Sequence, residues 1–341
     1  MPGTDIVEAV RTVFGELPDL PHLPELPDRG PGADLVGRGA SFLVDLPIDL
    51  QPSGWRLVDR PGRDSRRALD LLERDLDTLT EQAEGYTGPL KIQAAGLWTL
   101  VASVELHSGH KALSDSGAVR DLAASLADGL VAHVADVRRR VPGATVLLQL
   151  DEPSLPAVLA GRVTTASGFG TLRRPEESTV EEALAALVEK LAVPVVFHCC
   201  AKDVPWGLFR RAGAVAVSAD FTLLGPPDRW HTKTIDLLGE ELDAGLGMFA
   251  GVVPAVAPPI PLPPRDRAEA RARRAEMSDP AASVTPVRTL WQRLGLDPGR
   301  LADQVVATPT CGLAGADGGR ARAVLAQVRV AGRSLANDPE A

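Results

Sequence analysis

The segment at residues 193–200 constrains the fold of this chain more than any other part of the sequence. It reads V-P-V-V-F-H-C-C, an apolar run that ends at a histidine and at two of the three cysteines in the chain. Such a run is typical of a buried parallel strand that carries polar groups at its C-terminal end. Side chains alternate between the two faces of a strand, so His198 and Cys200 share one face while Cys199 lies on the other.

A second apolar run, V-V-A-T-P-T-C-G-L, ends at Cys311. Two strand ends therefore supply imidazole and thiolate groups, which are ligands that zinc prefers. The ordinary alternative is that the three cysteines are small residues of the core, as free cysteines often are. The histidine two residues before Cys200 favours the metal, and we predict zinc as a cofactor.

Apolar strand-like runs alternate with amphipathic helical segments along most of the sequence, and this pattern predicts a parallel sheet. Several strand-like runs finish at polar residues: Asp151, His198, Cys200, Asp220 and Cys311. A barrel brings such strand ends around one point, which an open doubly wound sheet does not easily do. We therefore predict an α/β chain that forms a (β/α)8 TIM-like barrel, with residues 1–341 as a single domain.

The sequence contains too few strand-like runs to close such a barrel. About seven strand-like runs are present, beginning at residues 41–45, whereas a (β/α)8 barrel has eight. We therefore expect a first strand upstream of Met1. Residues 17–39 contain a regular series of prolines, which predicts an extended surface connection or a loop that folds over the mouth of the barrel.

The charge of the chain argues against nucleic acid as a partner. The formal net charge is −9, and the basic run around Arg273 is interleaved with acidic residues. No apolar run approaches the ~20 residues of a membrane span, and the N-terminus lacks the layout of a signal peptide. We expect a cytoplasmic protein without membrane partners, in which the cysteines stay reduced.

Three segments carry a resemblance to the catalytic half of cobalamin-independent methionine synthase, in the superfamily that also contains uroporphyrinogen decarboxylase. L-Q-L-D-E-P-S-L at residues 148–155 resembles the substrate-binding I-D-E-P-A-L motif, F-H-C-C resembles H-x-C, and P-T-C-G-L resembles P-D-C-G-L. The resemblance implies that His198, Cys200 and Cys311 are zinc ligands. The fourth ligand of the family falls on Asp220, although an aspartate at a strand end is often only the cap of the next helix.

The same resemblance implies roles for the residues around the metal. Asp151 would bind the amino group of an amino-acid substrate and act in catalysis. Glu152 belongs to the same substrate-binding motif, but its opposite parity on the strand indicates a structural role. Val252 stands where the family has a catalytic histidine, so His231 is a candidate to replace that acid or base.

The resemblance implies a zinc-dependent S-methyltransferase that methylates a thiol, with homocysteine as the expected acceptor and methionine as the product. The folate-contacting segments of the family have no recognisable match, so the sequence leaves the methyl donor open. The alternatives are a decarboxylase of the uroporphyrinogen type and a non-catalytic relative that keeps zinc. A decarboxylase would need cations for many carboxylates and would leave the histidine and cysteines unexplained.

Overall fold

The chain divides into two groups of contacting residues, Gly3–Val215 and Ala216–Ala341, the second of which includes Met1–Pro2. The structure, a computed structural model, describes residues 1–256, Arg267 and 280–340. The helix expected around Ala268, the basic run around Arg273 and most of the proline-rich run at 254–264 lie outside the described residues. The single-domain organisation stays a prediction.

The larger unit consists of a small antiparallel hairpin and three parallel strands that alternate with helices. Its helices are α1 (Ile6–Glu16), α2 (Leu35–Ala40), α3 (Arg63–Gln82), α4 (Leu97–Ser103), α5 (Ser116–Arg140), α6 (Leu155–Leu159), α7 (Glu177–Leu191) and α8 (Trp206–Arg211). Its strands are β1 (Ile48–Gln51), β2 (Gly54–Leu57), β3 (Gly88–Ala95), β4 (Ala144–Asp151) and β5 (Val195–Cys199). β1 and β2 form the hairpin, while β3, β4 and β5 are parallel and adjacent in that order.

The smaller unit repeats the same alternation. Its described elements are β6 (Ala216–Asp220), α9 (Thr232–Asp243), β7 (Gly247–Val253), α10 (Thr285–Leu294), α11 (Leu301–Gln304), β8 (Val305–Pro309) and α12 (Gly318–Asn337). β6, β7 and β8 are parallel and adjacent in that order. Parallel strands linked by helices confirm the predicted α/β class. None of the described helices has both the length and the apolar character needed to cross a membrane.

The first predicted strand, at residues 41–45, is wrong. The backbone N–H groups of Ser41, Phe42 and Leu43 donate to carbonyls of α2 and continue its last turn. Asp45 has a φ of 58°, which ends any extended conformation. The hairpin of β1 and β2 forms instead in the next segment.

The proline-rich segment runs beside the edge of β3. The N–H of Leu23 donates to the carbonyl of Lys91 at 3.0 Å, and the N–H of Lys91 donates to the carbonyl of Pro21 at 3.0 Å. The result is a single parallel bridge between His22 and Lys91. Proline lacks a backbone donor, so the repeated prolines prevent this segment from forming a full ladder. A first strand upstream of Met1 stays a prediction.

A buried ion network ties this segment to α3. The carboxylate of Asp75 is fully buried and accepts from Arg29 and from Arg38, with N–O distances of 2.7 Å in both ion pairs. Arg38 also pairs with Glu25 at 3.1 Å. Removing one member of a buried network leaves an uncompensated charge, so these contacts fix the segment firmly against the helix.

Candidate metal and substrate site

The three parallel strands of the larger unit present polar side chains on one face of their sheet. The register pairs Gln93 of β3 with Gln149 of β4, and Asp151 of β4 with His198 of β5. Residues at intervals of two share a face, because side chains alternate along a strand. We call this surface the polar face, and its polar members are Lys91, Gln93, Gln149, Asp151, His198 and Cys200.

The opposite face of the same strands packs against helices. It presents the buried side chains Leu90, Ile92, Ala94, Leu148, Leu150, Val195, Phe197 and Cys199. The ring of Phe197 stacks on that of Phe209 from α8, with 4.6 Å between the ring centroids. Cys199 is fully buried, and burial raises the pKa of its thiol to about 11. A thiol in that setting stays protonated at neutral pH, which suits a core residue.

Three of the four residues expected to bind zinc stand at or just after strand ends, each within its own unit. His198 and Cys200 share the polar face at the end of β5, and Cys311 follows β8 in the smaller unit. One imidazole nitrogen and two sulfurs form a donor set of the kind that binds zinc tetrahedrally, with metal–ligand bonds of ~2.0–2.3 Å. These residues therefore fit a zinc ion by their chemistry.

Asp220, the fourth expected ligand, is engaged locally. Its carboxylate accepts from the N–H of Thr222 at 2.9 Å and from the hydroxyl of Thr222 at 2.6 Å. These bonds cap the short 3₁₀ helix Phe221–Leu224. This is the capping role that aspartate often has at the end of a strand. Asp220 as a zinc ligand stays a prediction.

Asp151 is a buried carboxylate at the end of β4. The side-chain amide of Gln149 donates to its Oδ1 at 2.6 Å. Burial raises the pKa of Asp151 to about 6, while the charges of His198 and Lys91 work in the opposite direction. Desolvation makes the carboxylate a strong partner for a cationic group that enters the site.

Glu152 is fully buried and faces away from the polar face. Its carboxylate accepts from the N–H of Trp98 at 3.0 Å, from the N–H of Thr99 at 2.8 Å and from the hydroxyl of Thr99 at 2.9 Å. Burial raises the pKa of Glu152 to about 7, although these hydrogen bonds favour the anion. The carboxylate therefore holds the first turn of α4 against the end of β4, as its parity on the strand indicated.

Most of the chain matches one known protein family. Residues 86–334 match the family described as cobalamin-independent synthase, catalytic domain. The chain belongs to this family. The membership confirms the resemblance drawn from the D-E-P, H-C-C and P-T-C-G-L segments, and it supports a methyltransferase reaction.

A solved structure of a B12-independent methionine synthase from Shewanella sp. W3-18-1, in complex with selenomethionine, has a similar fold. The TM-score is 0.58 at 11% sequence identity, and the match covers 98% of this chain and 88% of the Shewanella chain. This likeness confirms the predicted barrel class of the fold. No curated protein matches the chain.

The two residues that bear on the expected acid–base chemistry of this cobalamin-independent synthase chain, Val252 and His231, lie in the smaller unit. Val252 is a buried residue of β7, at a point where the pairing with β8 is irregular. Its isopropyl group offers no proton. His231 is exposed and immediately precedes α9, where its carbonyl accepts from the N–H groups of Thr234 and Ile235. Its role as a catalytic acid or base stays a prediction.

The sequence analysis did not identify three residues of the polar face, which precede the C-terminal ends of β3 and β4. Lys91 and Gln93 occur in the short strand L-K-I-Q-A, and Gln149 occurs in the strand that ends at Asp151. The signal was present, because polar residues at intervals of two inside a buried strand mark one face of the sheet. Only the register between β3 and β4 shows that these residues align beneath Asp151.

Proposed function

We propose that the protein is a zinc-dependent methyltransferase that moves a methyl group to the thiol of homocysteine and produces methionine. The observation that carries this proposal is the pair of His198 and Cys200 on one face at the end of β5, an imidazole and a thiol in a chain of this family. The selenomethionine bound by the Shewanella protein supports an amino-acid ligand. The reaction would take place in the cytosol, where thiols stay reduced.

The residues of this chain have separate roles in the proposal. His198, Cys200 and Cys311 would hold the metal, with Asp220 as the candidate for a fourth ligand. Zinc bound there would lower the pKa of a substrate thiol and keep it as a thiolate at neutral pH. Asp151 accepts from the ammonium group of the substrate and thereby orients its sulfur. Glu152 positions Asp151 by fixing the end of β4 against α4.

The class of methyl donor follows from the bond that forms and the bond that breaks in the transfer. The homocysteine sulfur forms a bond to the methyl carbon, and the leaving atom of the donor keeps the electron pair of the broken bond. The tertiary amine of methyltetrahydrofolate is a poor leaving group that requires protonation. Val252 cannot supply that proton. We therefore propose a donor that leaves without protonation, such as a sulfonium or a methylcorrinoid.

The test is methionine formation by the zinc-loaded protein with homocysteine and one donor at a time. We expect methionine from a sulfonium or methylcorrinoid donor and little from methyltetrahydrofolate. Cys200→Ser should abolish the reaction, and the matched variant Cys199→Ser should retain it. Absence of methionine with every donor would contradict the proposed function. Efficient turnover with methyltetrahydrofolate would contradict only the choice of donor and would direct attention to His231.

A further inference from the structure

Lys91 is a cation on the polar face that the proposed chemistry has not used. Its side chain is half-buried, and its Nζ makes one hydrogen bond, to Oε1 of Gln93 at 3.5 Å. Among the described residues, no carboxylate forms an ion pair with it. A cation held inside a protein without an ion pair is costly, so it requires a reason other than stability.

The position of Lys91 is fixed by its neighbours. Its backbone N–H and carbonyl bond to Pro21 and Leu23 of the proline-rich segment. The side-chain amide of Gln93 donates to the carbonyl of Leu23 at 2.8 Å, which fixes the Gln93 oxygen that accepts from Lys91. The ammonium group is therefore held at the level of Gln93 on β3.

The strand register gives the spacing between this cation and Asp151. Gln93 pairs with Gln149, which lies two residues before Asp151 on the neighbouring strand. Lys91 bonds to Gln93 and two residues of a strand span ~7 Å, so this cation and Asp151 are offset by about two residues along the strands. Glu25, another acid near Lys91, forms an ion pair with Arg38 at 3.1 Å.

A separated cation and anion on one face match the two charged groups of an α-amino acid. Such a ligand carries an ammonium and a carboxylate on one carbon, and charge-assisted hydrogen bonds to each measure ~2.7–2.9 Å. An offset of about two residues along the strands, ~7 Å, leaves room for those two bonds and the group between them. Lys91 and Asp151 are then each paired with one charged group of the same ligand.

We propose that Lys91 binds the carboxylate of the amino-acid substrate, while Asp151 binds its ammonium group. The site then selects an α-amino acid thiol over a simple thiol or an aminothiol. This inference rests on the proposed function, because it places the substrate thiol near His198 and Cys200. It adds a specificity-determining residue that lies outside the metal-binding group.

The test compares equilibrium binding of three thiols to the zinc-loaded protein by titration calorimetry. The thiols are L-homocysteine, 3-aminopropane-1-thiol, which lacks the carboxylate, and 4-mercaptobutanoate, which lacks the amine. We expect the unaltered protein to bind homocysteine about tenfold or more tightly than 3-aminopropane-1-thiol, the range of a hydrogen bond to a charged group. Lys91→Met should bring this ratio close to one, and Lys91→Arg should retain part of it.

Further variants separate this role from a structural one. Lys91→Gln removes the charge but can still bond to Gln93, so it should lose the preference and remain folded. Lys111→Met alters another half-buried lysine of the same unit, which bonds to the carbonyl of Ser103, and should keep the ratio. Asp151→Asn should weaken homocysteine and 3-aminopropane-1-thiol alike. Zinc content and the thermal midpoint of each variant verify that it is folded.

The outcomes distinguish this inference from the proposed function. A protein that binds thiols but shows no preference for homocysteine over 3-aminopropane-1-thiol would overturn the carboxylate site and leave the proposed function standing. If both Lys91→Met and Lys91→Gln keep the preference for homocysteine over 3-aminopropane-1-thiol, the carboxylate site is also overturned and the proposed function stands. Failure of the unaltered protein to bind any of the three thiols would overturn both.

Discussion

Cys199 and Cys200 are adjacent in the sequence but have different surroundings. Cys199 lies in the core on the helix-packed face, whereas Cys200 shares the polar face with His198. We predict that the purified protein holds about one zinc ion per chain, as a single group of this kind would bind. Cys200→Ser or Cys311→Ser should lose that zinc, because serine does not replace a thiolate ligand.

Cys199→Ser is the matched control for these variants. It should retain the zinc, although a hydroxyl in an apolar core will lower stability. The zinc content of all three variants is measured by plasma emission spectroscopy and expressed per folded chain. Loss of zinc from Cys199→Ser equal to the loss from Cys200→Ser would show that the assignment of faces is wrong.

The sequence predicted the residues of the site unequally, for a physical reason. A histidine and a cysteine two residues apart at a strand end are unusual enough to indicate a ligand pair. Carboxylates are ambiguous, because the same group can cap backbone N–H groups, as Asp220 and Glu152 do in the structure. Lys91 could be recognised only from the alignment of two strands, which no single segment contains.

The sequence also predicted the helices and strands unequally. β3, β4, β7 and α5 follow the alternation of apolar strands and amphipathic helices that the sequence predicts, because apolar periodicity is strong there. Residues 41–45 were misread because Phe42 is buried without belonging to a strand. A buried aromatic residue indicates a core contact but not the conformation of the chain that carries it.

The contact between α5 and Phe42 gives a prediction at the scale of one element. A Cβ atom added at Gly129 would overlap the carbonyl oxygen of Phe42, a backbone atom that cannot move aside alone. We expect Gly129→Ala to lower the free energy of unfolding by ~1–3 kcal/mol or more, despite the better helix propensity of alanine. Urea denaturation followed by circular dichroism measures the change.

Gly332→Ala is the matched control in α12. No heavy atom lies within 4 Å of a Cβ added there, so only helix propensity acts. We expect this variant to raise the free energy of unfolding by about 0.5–1 kcal/mol. Equal effects of the two substitutions would contradict the close packing of α5 on the segment that carries Phe42.

At the scale of the molecule, buried groups that titrate couple stability to pH. His133 of α5 is buried with its ring against that of Phe42, at 4.7 Å between centroids. Burial lowers the pKa of His133 to about 3, and the charge of Arg38 acts in the same direction. The unfolded chain, with a histidine pKa of ~6.5, binds the proton more readily than the folded chain does.

The sign of the effect follows from this difference. The contribution of neutral His133 is fully present above pH ~6.5 and is lost as the pH falls toward about 3. The loss is ~1.4 kcal/mol per pH unit across that window, or about 2 kcal/mol between pH 6.5 and pH 5. Other groups titrate in the same range, so the difference between the protein and a His133 variant isolates this contribution.

We predict that His133→Leu reduces the dependence of stability on pH between 7 and 5. Leucine carries no titrating group and suits both the apolar site and a helix. The free energy of unfolding, measured by urea denaturation at half-unit steps of pH, should fall less steeply in the variant by ~1 kcal/mol or more per pH unit. Parallel curves for the two proteins would mean that His133 binds its proton equally well in the folded and unfolded chains, which is incompatible with its burial.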